Sequence, residues 1–252
     1  MSTILALLLQ AAPLAGSLPP DQARFDACID LAIDDPASGV VAANEWLIEG
    51  GTYFARHCLG FAHAHQQRWD AAEKAFVEAA RAAMAAKDDR AGNLWTQAGN
   101  AALAGGSPQA ALSHFDAALA QATASGLALG EIHLDRARAL VALGNLDAAR
   151  AEFDIVHKVV PEDPLGWLLS ATLARRQGDL TRAQADIAVA AKLASRDSDV
   201  ALEAGNIAVE AGDYGAARRN WQQAVAIAPD SKAAATARDQ LGRLDEIAPA
   251  DG

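Results

Sequence analysis

Six histidines and two cysteines are the side chains of this 252-residue chain best suited to chemistry. His57 and His65 stand eight residues apart with Phe61 between them, so on a helix the three share one face. At 1.5 Å rise per residue the two imidazoles are about 12 Å apart, too far for one metal ion to bridge. His63 falls on another face. The spacing therefore argues against a metal site. The chain also has no glycine-rich phosphate loop, no Gly-x-Ser-x-Gly elbow and no His-Glu-x-x-His helix. No catalytic residue, metal ligand or cofactor site is assigned, and the chain reads as a non-enzyme.

Composition narrows the elements that carry these residues. Hydrophobic residues make up 52% of the chain, yet aromatic residues only 5%, because alanine dominates. Alanine has the highest helix propensity and lets helices approach closely. Such a chain suits thin layers of paired helices better than one thick core. With 32 acidic against 21 basic side chains and a net charge of −11, there is no basic stripe of the kind that neutralises phosphates, so nucleic acid is excluded as a partner.

A small residue, a bulky one four later and a small or β-branched one three after that recur along the chain. The sets are Ala72, Phe76, Ala79; Ala111, Phe115, Ala118; Ala149, Phe153, Val156; Ala183, Ile187, Ala190; and Ala217, Trp221, Ala224. The bulky residues are 39, 38, 34 and 34 apart, near the length of a helix–turn–helix repeat. Each set lies on one face of a second helix. The preceding first helices carry Gly60, Gly99, Ala137, Ala171 and Gly205 near their middles, which points to close helix crossing. Turns are legible at Gly144-Asn145, Gly178-Asp179 and Gly212-Asp213, where glycine supplies a left-handed conformation and a polar side chain caps the next helix. Pro108 fits the first turn of a helix. The longer second and third repeats predict longer second helices or loops around residues 85–90 and 122–130.

Residues 21–50 read as a divergent first repeat, with helices over 21–33 and 38–49 and with Ala42 and Trp46 in the small and bulky places. Residues 52–230 carry five repeats. Residues 231–247 form a capping helix, which a solenoid needs because its last repeat has no neighbour.

These motifs resemble the tetratricopeptide repeat. Leu59-Gly60 matches its Leu-Gly pair, the Ala–Phe–Ala sets match its second helix, and Pro161 and Pro229 match its closing proline. The resemblance implies an all-α, right-handed α-α superhelix whose first helices line a concave, peptide-binding groove. On that register the groove candidates are His57, Phe61, Asn100, Arg138, Thr172, Arg175, Arg176 and Asn206. Asparagines suit a peptide backbone and arginines a carboxylate. Family members that bind chaperone tails place a lysine one turn before a groove asparagine; here Thr96 precedes Asn100 and Leu202 precedes Asn206, which argues against that ligand.

Cys28 and Cys58 occupy equivalent places in adjacent first helices. Neighbouring helices lie about 8–10 Å apart, whereas a disulfide needs Cα atoms within about 6.8 Å. Two buried thiols and a bridge formed in an oxidising compartment both remain open. Residues 4–15 (ILALLLQAAPLA) are too short an apolar run to span a bilayer and fit the core of a secretory signal peptide over residues 1–17, although no basic residue precedes Arg24. The expected location is periplasmic or secreted; the alternative is a cytosolic protein with a buried N-terminal helix. The expected function is a protein-interaction scaffold binding a protein or peptide, against two alternatives: an accessory part of an envelope enzyme or assembly complex, and a self-assembling structural protein.

Overall fold

The computed structural model describes residues 20–121 and 125–247; the signal-peptide segment lies outside them. Thirteen α-helices and no strands are present among the described residues: α1 (Pro20–Asp34), α2 (Pro36–Ile48), α3 (Tyr53–His65), α4 (Trp69–Ala85), α5 (Ala91–Ala104), α6 (Pro108–Leu119), α7 (Gly126–Ala142), α8 (Leu146–Val159), α9 (Pro164–Arg176), α10 (Leu180–Leu193), α11 (Ser198–Glu210), α12 (Tyr214–Ile227) and α13 (Lys232–Ile247). Consecutive helices pack as antiparallel pairs, and each pair stacks on the next.

Within a pair the bulky residue of the second helix presses on the small residue of the first. Phe76, Phe115, Phe153, Ile187 and Trp221 are all buried. A Cβ placed on Gly60 would come within 2.6 Å of the Phe76 ring, one on Gly99 within 2.4 Å of Phe115, and one on Gly205 within 2.3 Å of Trp221. Glycine inside a helix is about 1 kcal/mol worse than alanine. Here it lets a whole ring lie against the backbone, and burial of aromatic surface outweighs that penalty. Where the first helix carries Ala137 or Ala171, the methyl groups are themselves fully buried.

The turns follow the expected chemistry. Gly106, Gly144, Gly178 and Gly212 all sit near φ +77°, the left-handed region that ends a helix, with values of 78, 76, 77 and 78°. Asp179 and Asp213 then accept from the backbone N–H groups of Arg182 and Ala216 at 3.0 and 2.8 Å. In the α3–α4 turn the same position holds Gln67, at φ 57°; Lys87 adopts φ 55° in the α4–α5 turn between pairs.

Two details differ from the sequence reading, and one expected lengthening is seen. The second helix of the first pair begins at Pro36, its first turn capped by Asp35, and its buried small residues are Gly39 and Ala43 rather than Ala42. The extra length of the second repeat is one more turn of α4, 17 residues against 14 in α8, α10 and α12. That of the third lengthens the following first helix: α7 has 17 residues where α9 and α11 have 13.

Candidate functional site: a groove along the first helices

The face presented by α5, α7 and α9 carries two openings. Between α7 and α9 lies a pocket of about 170 Å³. Val141, Leu169, Leu173 and Phe153 form its apolar floor, Arg138 and Arg176 stand at its rim, and Thr172 lies beside them. Both arginines are exposed. Arg138 donates to Asp135 at 2.8 Å, a surface pair one turn away on the same helix, and is half in solvent. The Thr172 hydroxyl donates to the Leu168 carbonyl at 3.0 Å, a bond back to its own helix that fixes its rotamer. Between α5 and α7 lies a larger cleft of about 350 Å³, bordered by Asp89, Gly92, Asn93, Thr96, Ala128, Glu131 and Ile132. The additional N-terminal turn of α7 supplies Ala128 to this wall, and Glu131 follows it on the same helix.

Three of the eight groove candidates, Arg138, Thr172 and Arg176, thus meet in one pocket. Asn100 is exposed on α5, outside both openings. Arg175 is closed into the fold: it donates to Glu203 at 2.7 and 3.3 Å and to Glu210 at 2.6 Å. Burial lowers its pKa, but those two carboxylates outweigh the effect and hold it above the ordinary arginine value. Asn206 is likewise engaged, accepting from the Trp221 indole at 3.2 Å and donating to Glu203 at 3.0 Å. Its amide positions the ring that lies on Gly205.

His57 packs between Phe25 of α1 and Phe76 of α4, with ring centroids 4.8 and 5.9 Å away. Burial pushes its pKa down to about 4, so it is neutral at pH 7. Phe61 pairs with His65 at 4.4 Å on the half-buried face of α3. Cys28 and Cys58 are joined as a disulfide, with Cα atoms 6.1 Å apart. Facing Cα atoms lie about 2.3 Å off their helix axes, so helices packed about 8–10 Å apart still bring them within disulfide reach, and both half-cystines are buried next to the small Ala43. Among the described residues no three His, Cys, Asp or Glu side chains converge as a metal set, and no helix is long and apolar enough to cross a membrane.

Comparison with known proteins bears on the whole arrangement. The tetratricopeptide repeat family model matches residues 134–199, which span α7 to the start of α11. Solved structures superpose over most of the chain. PilW, a type IV pilus biogenesis factor, aligns with a TM-score of 0.70 at 16% identity, covering 87% of this chain and 99% of its own. The Cut9–Hcn1 hetero-tetramer of the APC/C aligns at 0.67 and 13% identity over 89% of this chain, which spans only 42% of that one. YrrB, a TPR protein with an unusual peptide-binding site, aligns at 0.54 and 17% identity over 73% of this chain and 91% of its own. The fold is a tetratricopeptide-type solenoid. No curated protein matches by sequence.

In this tetratricopeptide solenoid the floor residues Val141, Leu169 and Leu173, and the rim residues Asp89, Asn93 and Glu131, escaped the sequence reading. Glu131 was within reach of it. It stands seven residues before Arg138, two turns along the same helical face. The floor residues had no such signal, since leucines on first helices read equally well as core.

Proposed function

We propose that this protein is a non-catalytic interaction scaffold that holds a peptide segment of another protein in the groove along its first helices. The observation that carries this reading is the pocket between α7 and α9, an apolar floor rimmed by Arg138 and Arg176. An apolar side chain seated on Val141, Leu169 and Leu173 is desolvated, and a neighbouring carboxylate gains charge-assisted hydrogen bonds from the guanidinium groups. Arg175 and Asn206, by contrast, are held by the fold, so the ligand-facing set is smaller than the register alone suggests. The reading extends to location. The Cys28–Cys58 disulfide and the apolar run at residues 4–15 support an oxidising compartment outside the cytoplasm, reached by export. The likeness to a pilus biogenesis factor favours, as a second reading, an accessory role in an envelope assembly complex.

Panning a phage-displayed random 12-mer library against the intact protein and against Arg138→Ala/Arg176→Ala tests the groove. The expected result is convergent enrichment on the parent that the double variant loses while its circular dichroism is unchanged. Equal enrichment on both proteins would move the site off this groove.

A further inference from the structure

The two openings on α7 carry opposite charge. Asp89 and Glu131 border the cleft toward α5, whereas Arg138 and Arg176 rim the pocket toward α9. Asp89, Glu131 and Arg176 are exposed, and among the described residues none of the three has an ion-pair partner. Their neighbours are matched within the fold. Asp88 accepts from the Tyr53 hydroxyl at 2.6 Å, and Arg175 is taken by Glu203 and Glu210. Asp89, Glu131 and Arg176 are thus left over once the internal pairs are made, and Arg138 is tied only to Asp135, in a half-exposed pair on its own helix. Unmatched charge lining a concave surface attracts groups of opposite sign and disfavours like ones.

The geometry sets a spacing. Glu131 and Arg138 lie on one face of α7, two turns apart, which is about 10.5 Å along the axis. The openings also flank α7 on opposite sides, a lateral step of about 10 Å, one helix diameter. A chain crossing from one to the other covers about 14 Å, the reach of about four extended residues.

We infer that the groove takes an extended peptide of mixed charge, with a lysine or arginine in the Asp89–Glu131 cleft and an aspartate or glutamate about four residues away between Arg138 and Arg176. This rests on the reading of the groove as the peptide-binding surface. An intervening apolar side chain sits on the Leu169–Leu173 floor. A peptide with these charges exchanged meets repulsion at both ends, so the groove also fixes the direction in which its ligand lies.

Sequencing the pools from the same 12-mer library, panned against the intact protein and against Glu131→Lys, tests the inference. The parent pool should pair a basic with an acidic residue three to five positions apart. The Glu131→Lys pool should keep the acidic position and lose the basic one. A synthetic peptide from the parent pool should then bind, by fluorescence anisotropy, at least tenfold more weakly when its basic residue is changed to glutamate, and that penalty should fall below threefold on Glu131→Lys. A parent pool that converges without a basic position overturns this inference while leaving the groove reading intact. So does a basic position that survives Glu131→Lys in a variant of unchanged circular dichroism. A parent protein that enriches no peptide overturns both.

Discussion

The joint from α1 to α3 is made by rings and a disulfide, whereas ion pairs bridge α8 to α10, α9 to α11 and α12 to α13. Phe25 reaches from the first pair to Phe54 and His57 of the second, and the Trp95 indole of α5 donates to Met84 Sδ of α4 at 3.2 Å. In the second half Asp154 pairs with Arg182, Arg175 with Glu203, and Arg218 with Asp245 across neighbouring repeats. The first two of these span 28 residues each. A charge pair is a point contact between two atoms and needs a fixed register, whereas a ring lying on alanine and glycine tolerates an added turn nearby. The strict 34-residue period runs from Phe153 to Trp221, the stretch in which the Asp154–Arg182 and Arg175–Glu203 pairs lie.

The largest effect expected from disturbing this contrast is at the disulfide. Closing a loop over a separation of 30 residues stabilises by about 3–4 kcal/mol in the chain-entropy account. Cys28→Ser/Cys58→Ser should therefore lose amide-exchange protection in α1 and α2 first, with α7 to α13 unaffected; uniform loss across all helices would show that the two halves unfold as one body.

The next effect is a pH dependence centred on His57 of the ring-joined end. Burial lowers the His57 pKa from 6.5 to about 4 in the folded chain. Between those values the unfolded chain binds the extra proton, so this contribution is complete above pH 6.5 and is lost as pH falls through 4, a change on the order of 2–3 kcal/mol. Urea titrations of His57→Phe should show a flatter stability profile over that window than the parent; parallel profiles would remove His57 as the cause.

Arg175→Met probes the ionic half and should cost about 2 kcal/mol, because it leaves buried Glu203 without its cation. Raising the pH does not restore it, but the further change Glu203→Gln should recover part of the loss in chemical denaturation. No recovery would mean that the arginine contributes by packing alone.

The smallest effect belongs to the turns. Gln67 is held in the left-handed region where later repeats use glycine. Gln67→Gly should stabilise by under about 1 kcal/mol, seen as a slightly raised Tm; a lowered Tm would show that the Gln67 side chain contributes more than its backbone strain takes away.

Much of this architecture was legible in the residues because it is local. The Ala–Phe–Ala sets, the Gly-Asp turns and Pro108 at a helix start all act within a turn or two of themselves. The site was only partly legible. Arg138, Thr172 and Arg176 share a register that the repeat period fixes, and they do meet. Arg175 and Asn206 share it too, but their partners Glu203, Glu210 and Trp221 lie up to 35 residues away or on another helix, and no local pattern announces such a pairing. The added turn of α7 was hidden for a different reason. Helix propensity around residues 126–130 is weakened by two glycines, and tertiary packing, with Gly130 against Val160, settles the helix start.

The Cys28–Cys58 bond has a topological consequence. Together with the intervening backbone it makes a closed ring, and α2 lies wholly inside it. A protease that cuts one peptide bond anywhere in residues 29–57 opens the ring but releases nothing: both fragments stay attached through sulfur, and α1 keeps its place against α3. A second cut inside the ring frees only the piece between the two cuts, and the segment that carries Cys28 leaves only when the sulfur bridge is lost as well.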